Sequence, residues 1–219
     1  MVRIYYHIYA IEGVDEIVDE QLNLIEKYFN FPYILNVGIS IANETISTES
    51  IIKKFYNYNK PNYFIREVKA FGNEFTTIDL IEKDKDNFGD SDYILYLHTK
   101  GASKMNNPNY QNIKTWRELM NYFNIERCSD VFNIFEKTEY NTYGALCCNI
   151  NGSVFYSGNF WWITAKYLKT IFLGDMYKSR FNAEISYIQN GIDWKPYSAY
   201  NMPVTNYYNI KFDKNEYAK

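Results

Sequence analysis

Tyr93, Ile94, Leu95, Tyr96 and Leu97 form an unbroken apolar run rich in aromatic and long aliphatic side chains, and it stops abruptly at His98, Thr99, Lys100 and Gly101. A short run of that kind reads as a buried strand. An apolar strand that delivers polar groups at its carboxyl end builds a site, because ligands of open α/β sheets bind in the crevice beyond those ends. His98 and Lys100 therefore stand where chemistry is expected.

The segments before this run alternate in character. Arg3 to Ile11 reads as a first strand, closed by Glu12 and Gly13. From Val14, the residues Ile17, Val18, Leu22, Ile25, Tyr28 and Phe29 recur at helical spacing, with Asp15, Glu16, Asp19 and Glu20 in the early turns, where the helix dipole favours them. Tyr33 to Ile41 reads as a second strand, Ile51, Ile52 and Phe55 mark a second helix, and Tyr63 to Val68 a third strand. Thr76 and Thr77 open a short helix bearing Ile78, Leu80 and Ile81, and the charged spacer after it reads as a solvated loop. Strand and helix in alternation, joined by parallel crossovers, predict an α/β fold: a mixed, mostly parallel, Rossmann-like central sheet flanked by helices.

Beyond Gly101 the stretch from Ala102 to Asn112 lacks periodicity and reads as a loop over the strand end. Ile113, Trp116, Met120 and Phe123 share one helical face, and Val131, Phe132 and Phe135 another. Tyr143 to Cys148 and Val154 to Ile163 read as strands, the second broken by Gly158 and Asn159. Helices are expected over Thr164 to Phe172 and from Phe181 to Gln189, the latter carrying Glu184 in its first turns. One domain of 219 residues is expected. Its first half, 1–101, has a nucleotide-binding character, 102–200 forms a second half, and 201–219 is a polar tail.

The formal charge of −3 and a pI near 5.5 argue against nucleic acid and against an electrostatically held membrane face, so a small polar partner is expected. No stretch approaches about 18 uninterrupted apolar residues, the length a membrane span needs. The amino terminus lacks a cleavable apolar core, and Cys128, Cys147 and Cys148 have neither disulfide nor metal-site spacing, which together suggest a reduced, cytoplasmic protein.

Three places could carry chemistry. His98 alone also fits a satisfied, partly buried histidine, and Lys100 alone a solvated one. Both on one turn beside Gly101 offer a cation next to a permissive backbone, which suits a pyrophosphate. Gly158 and Asn159 read either as a bulge with Phe160 packed inside or as part of a site. Trp161 and Trp162 point to opposite faces of a regular strand, so one is expected in the core while the other borders a pocket as a platform for a sugar ring. Glu184 fits a helix-start acid as well as a catalytic carboxylate.

In order along the chain, HIYAIEGVDEIVDEQLNLIEK, NEFTTIDLI, YILYLHTKGAS, WRELMNYF, YSGNFWWITAKYL and FNAEISYI resemble a family of small GT-A-fold glycosyltransferases of bacterial surface-polysaccharide clusters and large DNA viruses. The resemblance spans nearly the whole chain. A weaker likeness extends to rhamnan-synthesis F proteins, through the HTK turn and the WR helix. The resemblance implies a GT-A-like fold and transfer from a nucleotide-diphosphate sugar, a UDP-sugar above all, to a carbohydrate acceptor on a glycan or lipid. It would put Tyr9 and Ala10 beside the base, Glu74 and Thr77 near the ribose or donor sugar, and Trp161, Trp162 and Arg117 on the acceptor or phosphate side. Glu184 would serve as base or, with Asn159, as a group positioning the donor. His98 and Lys100 stand where such enzymes carry the acids of a DxD metal motif. Lys100 can then neutralise the diphosphate directly, leaving Mn²⁺ or Mg²⁺ optional, with Asp79, Asp92 and His98 as candidate ligands. A non-catalytic carbohydrate-binding module and a sugar-nucleotide-processing enzyme on the same frame are the alternatives.

Overall fold

The structure, a computed structural model, describes residues 1–150, 152–173, 180–203 and 206–218, without the side chains of Arg180, Phe181 and Ile185. The first half alternates without exception: β1 (Val2–Ala10), α1 (Val14–Tyr28), β2 (Tyr33–Ile41), α2 (Glu49–Tyr58), β3 (Tyr63–Ala70), α3 (Phe75–Asp84) and β4 (Tyr93–His98). Then follow α4 (Tyr110–Asn121), α5 (Cys128–Lys137), β5 (Thr142–Gly144), β6 (Cys147–Ile150), β7 (Ser153–Tyr156), β8 (Trp161–Thr164), α6 (Ala165–Leu168), α7 (Arg180–Ile185), β9 (Pro196–Ser198) and α8 (Lys214–Tyr217).

Seven strands form one sheet in the order β3-β2-β1-β4-β8-β5-β9. β1 to β4 are mutually parallel, β8 runs antiparallel to both β4 and β5, and β9 returns parallel to β5. The expected mixed, mostly parallel sheet flanked by helices is what forms, and it crosses the boundary between the two halves through the β4–β8 pairing.

Strand alternation sorts the core into two layers. Leu95 and Leu97 of β4 face the layer built with α1 and α4, whereas Ile94 and Tyr96 face the layer built with α3 and α6. Both faces of β4 are apolar because both are covered, as an interior parallel strand requires. The edge strand β3 instead alternates half-buried and exposed residues, with Arg66, Glu67 and Lys69 among them.

The second half departs from the sequence reading. Val154 to Ile163 is not one strand: β7 pairs with β6 in a separate hairpin, and β8 joins the main sheet. The chain turns between them at Tyr156 to Asn159, closed by Asn159 N donating to Tyr156 O at 2.9 Å, with Gly158 at φ 95° and Asn159 at φ 57°. A side chain at Gly158 would bring its Cβ within 2.2 Å of Met120 Sδ, so α4 can approach only because this residue is glycine. Tyr143 to Cys148 is likewise split, into β5 and β6. The helix expected over Thr164 to Phe172 is one turn, α6, capped by Thr164 Oγ1 accepting from Tyr167 N. The tail does not merely wrap the surface: its Tyr207 and Phe212 are buried in the main core.

Candidate functional site

The parallel strands β1 and β2 end together, at Ala10 and Ile41, β4 ends at His98 opposite His7, and the loops after them gather at one edge of the sheet. Pairing continues past β4, with Thr99 N donating to His7 O at 3.1 Å and Tyr9 N to Thr99 Oγ1 at 2.9 Å. Since β8 is antiparallel and Trp161 pairs with Tyr96, the residues just before Trp161 meet those just after Tyr96. The Gly158 turn thus lands on His98. His98 Nε2 donates to Gly158 O at 2.8 Å, and because a carbonyl only accepts, Nε2 carries the hydrogen in either charge state. On its other side Gly158 N donates to Glu184 Oε1 at 3.3 Å. One residue, Gly158, therefore links through its own N–H and C=O two side chains 86 positions apart in sequence (184 − 98).

A buried polar network fixes the His98–Lys100 turn from behind. Gln21 Nε2 on α1 donates to His98 O at 3.2 Å and to Asn121 Oδ1 at 3.2 Å, and Tyr6 Oη donates to Gln21 Oε1 at 2.7 Å. Arg117 on α4 donates through Nη1 to Lys100 O at 2.9 Å, and through Nε and Nη2 to both Glu20 oxygens at 3.1 and 2.8 Å. Burial opposes the Arg117 charge, but the Glu20 carboxylate outweighs it and holds the guanidinium firmly protonated. Arg117, 1% exposed, is consumed in this scaffold. The expected role for it on the acceptor side is corrected: it shapes the turn from beneath because α4 presents it to α1 rather than to solvent.

Of the cavities that open at this edge, two adjoin around the His98–Lys100 turn, with Ser103 lining both. The smaller, about 170 Å³, is lined by His7, Tyr9, Gly72, Asn73, Glu74, His98 and Ser103. The larger, about 400 Å³, is lined by Lys100, Gly101, Ser103, Lys104, Ile113, Glu184 and Tyr208. Lys100 is only 4% exposed, and its ammonium sits 4.1 Å from the centroid of the Trp116 ring. Two buried donors nearby, Asn159 Nδ2 and Trp116 Nε1, have no hydrogen-bond partner among the described residues. Buried polar groups are seldom left so.

The candidates thus separate. Tyr9, Glu74, His98, Lys100 and Glu184 face the two cavities. Ala10 is fully buried in the core, and Thr77 is buried beneath the smaller cavity, where its Oγ1 lies 3.0 Å from His7 Nδ1. Thr77 reaches His7 because β2 has Gly38 there; a Cβ would come within 2.2 Å of Thr77 Oγ1. Thr77 and Ala10 support the site from below.

The tryptophans are the plainest correction. Trp161 and Trp162 do point to opposite faces, but both are fully buried, at 1% and 0% exposed. Trp161 stacks on Tyr96 with centroids 5.0 Å apart, and its Nε1 donates to Asn159 Oδ1 at 2.9 Å. Trp162 packs against Phe29 and Phe132, and its Nε1 donates to Asn124 O at 2.9 Å. β8 lies inside the sheet with both faces covered, so neither indole is a platform for a sugar. Asn159, also buried, is turned onto Trp161.

The candidate metal acids are not brought together. Asp92 lies at the amino end of β4, opposite the site, where it accepts from the amino terminus at 2.9 Å and from Arg3 Nε at 3.0 Å. Asp79 sits on α3, the helix after β3, rather than at the His98–Lys100 turn. Among the described residues, no three His, Cys, Asp or Glu side chains form a metal-ligand set. For Asp92, burial pushes its carboxyl up, but the amino terminus and Arg3 outweigh it and hold the pKa below the usual range. A depressed carboxylate stabilises the fold above its unfolded pKa, and that stability is lost as pH falls through the folded value. Asp92→Asn is therefore expected to cost about 1 kcal/mol at pH 7, after allowing for half-exposed partners. The deficit should shrink below about pH 4, where the unfolded carboxyl is already protonated, as urea titrations across pH would measure.

His7, Asn73, Ser103 and Tyr208 are cavity residues that the sequence reading did not single out. His7 lies in a strand whose apolar neighbours hide it, and Tyr208 lies in a tail with no periodicity. No protein-family model matches the chain, and no curated protein matches it.

Proposed function

We propose that this chain is a cytoplasmic glycosyltransferase of GT-A-like design that moves a sugar from a nucleotide-diphosphate donor, a UDP-sugar first, to a glycan or lipid-linked acceptor. The observation that carries this reading is the larger cavity. A buried ammonium and a carboxylate, Lys100 and Glu184, line one space at the carboxyl edge of the parallel strands without forming an ion pair among the described residues. A leaving diphosphate needs a cation in a water-poor setting, and an attacking hydroxyl needs a base on the acceptor side.

The remaining roles follow from chemistry and position. Tyr9 offers a ring edge to a base, and the two oxygens of Glu74 suit the vicinal hydroxyls of a ribose in the smaller cavity. His98, its Nε2 spent on Gly158 O, orients that peptide and borders the diphosphate. Glu184 accepts the acceptor proton in an inverting reaction, or positions the donor sugar in a retaining one. With Lys100 supplying positive charge, Mn²⁺ or Mg²⁺ is an aid rather than a requirement. A cation and a carboxylate lining one cavity favour this reading over a carbohydrate-binding module, which has no leaving group to neutralise.

At about a hundredfold excess over its Kd, UDP is expected to add about 2.7 kcal/mol of stability. For a chain of this size that is a rise in melting temperature of roughly 5–10 °C. Hydrolysis screened across UDP-, GDP- and dTDP-sugars, with and without EDTA, tests class, base and metal need together. A nucleotide panel that shifts nothing, with no donor hydrolysed in either condition, would overturn the proposal.

A further inference from the structure

Two buried cations close together in the fold are held in opposite ways. Arg117 spends its donors on Glu20 and on Lys100 O, so its charge is cancelled within the protein. Lys100 Nζ has no ion pair or hydrogen bond among the described residues; it rests 4.1 Å from the Trp116 centroid and 5.8 Å from that of Tyr208. An aromatic face attracts a cation without occupying its N–H donors or cancelling its charge. An ammonium held this way keeps three donors for an anion in the cavity it lines.

One of the two rings comes from the carboxyl-terminal segment. Tyr208 is 39% exposed and meets Trp116 edge-on, with centroids 5.4 Å apart and planes at 89°. Its segment is bound to α4 at the ring's own residue and four residues beyond it: Asn112 Nδ2 donates to Tyr208 O at 3.1 Å, and Phe212 N donates to Thr115 Oγ1 at 3.1 Å. The tail is thus anchored where its ring overhangs the ammonium.

We infer that the carboxyl-terminal segment is a wall of the anion site, and that Tyr208 is a positioning residue that holds the Lys100 ammonium toward an anion of the phosphate class. The inference rests on the transferase reading only in identifying that anion with the donor's diphosphate. Without Tyr208 the four-carbon stem of Lys100 gains freedom to swing toward solvent, and the anion loses a fixed partner.

The test is calorimetric titration of the full chain with inorganic pyrophosphate and with UDP, in EDTA. Tyr208→Leu is expected to weaken pyrophosphate binding by about three- to fivefold, the scale of one partly exposed cation–π contact. Tyr208→Phe keeps the ring and should stay within about twofold of the parent, and Asn112→Ala, which loosens the segment without touching the ring, should fall between them. Melting temperatures of all three should stay close to the parent's, since the side chains removed are surface ones. Parental affinity in Tyr208→Leu, an equal loss in Tyr208→Phe, or a parent protein that binds neither ligand would overturn the inference. A chain that binds pyrophosphate in this ring-dependent way but hydrolyses no sugar nucleotide would overturn the transferase reading and leave the anion site standing.

Discussion

Lys100→Ala is expected to weaken binding of UDP and UDP-sugars by about a hundredfold or more, the cost of truncating one member of a buried, hydrogen-bonded charge pair. The protein itself should not suffer. In the free chain the ammonium is buried against rings with no acid partner among the described residues, a placement that costs stability rather than contributing it. Its removal should therefore leave the melting temperature unchanged or raise it, as at sites where function is retained against stability. The backbone turn survives, because Arg117 and Gln21 hold the carbonyls of residues 100 and 98 whatever side chain stands at 100. Nucleotide affinity within twofold of the parent would remove Lys100 from the site. Loss of nucleotide binding also separates a transferase from a lectin, whose affinity for sugar alone would not depend on this cation.

Glu184→Gln is expected to leave donor binding within about twofold and to lower transfer by 10²- to 10⁴-fold, the usual weight of a positioned general base. The exchange is nearly isosteric. Glutamine's carbonyl oxygen can still accept from Gly158 N, so the link through Gly158 to His98 is kept and only the proton-accepting capacity is lost. Measuring Kd by calorimetry and turnover by released UDP separates the two effects. Parental turnover in Glu184→Gln would remove this carboxylate from the chemistry, and a matching loss of donor affinity would make it a donor-binding group instead.

Much of the architecture of residues 1–101 was legible because local rules and tertiary demands agree there. β4 is apolar on both faces up to His98, β1 and β2 each carry one wholly apolar face, and α1 carries its apolar residues at helical spacing, so alternation alone points to a covered parallel sheet. The position of His98 and Lys100 follows from the same logic, since a strand that ends in polar residues must end at an edge. The second half was less legible because its strands have only three or four residues. A break at Gly158 reads the same whether the chain bends within one sheet or leaves it for another. The two-residue period correctly sent Trp161 and Trp162 to opposite faces. It could not tell that both faces are covered, because coverage depends on helices distant in sequence.

Sequence by itself determined the α/β class, the run of parallel strands and the turn that offers a histidine and a lysine at their carboxyl edge. These follow from periods of 2 and 3.6 residues and from where apolar runs stop, all of which are local properties. Only the tertiary structure decided what each polar group became. Arg117, a plausible ligand by its residue type, was neutralised by Glu20 from another helix, and Lys100 was left with its charge uncancelled between rings from α4 and the tail. His98 and Glu184 were joined through one residue, Gly158, because β8 runs against β4. Charge neutralisation and burial are set by neighbours in space, and those neighbours come from segments about a hundred residues apart, which no window of sequence spans.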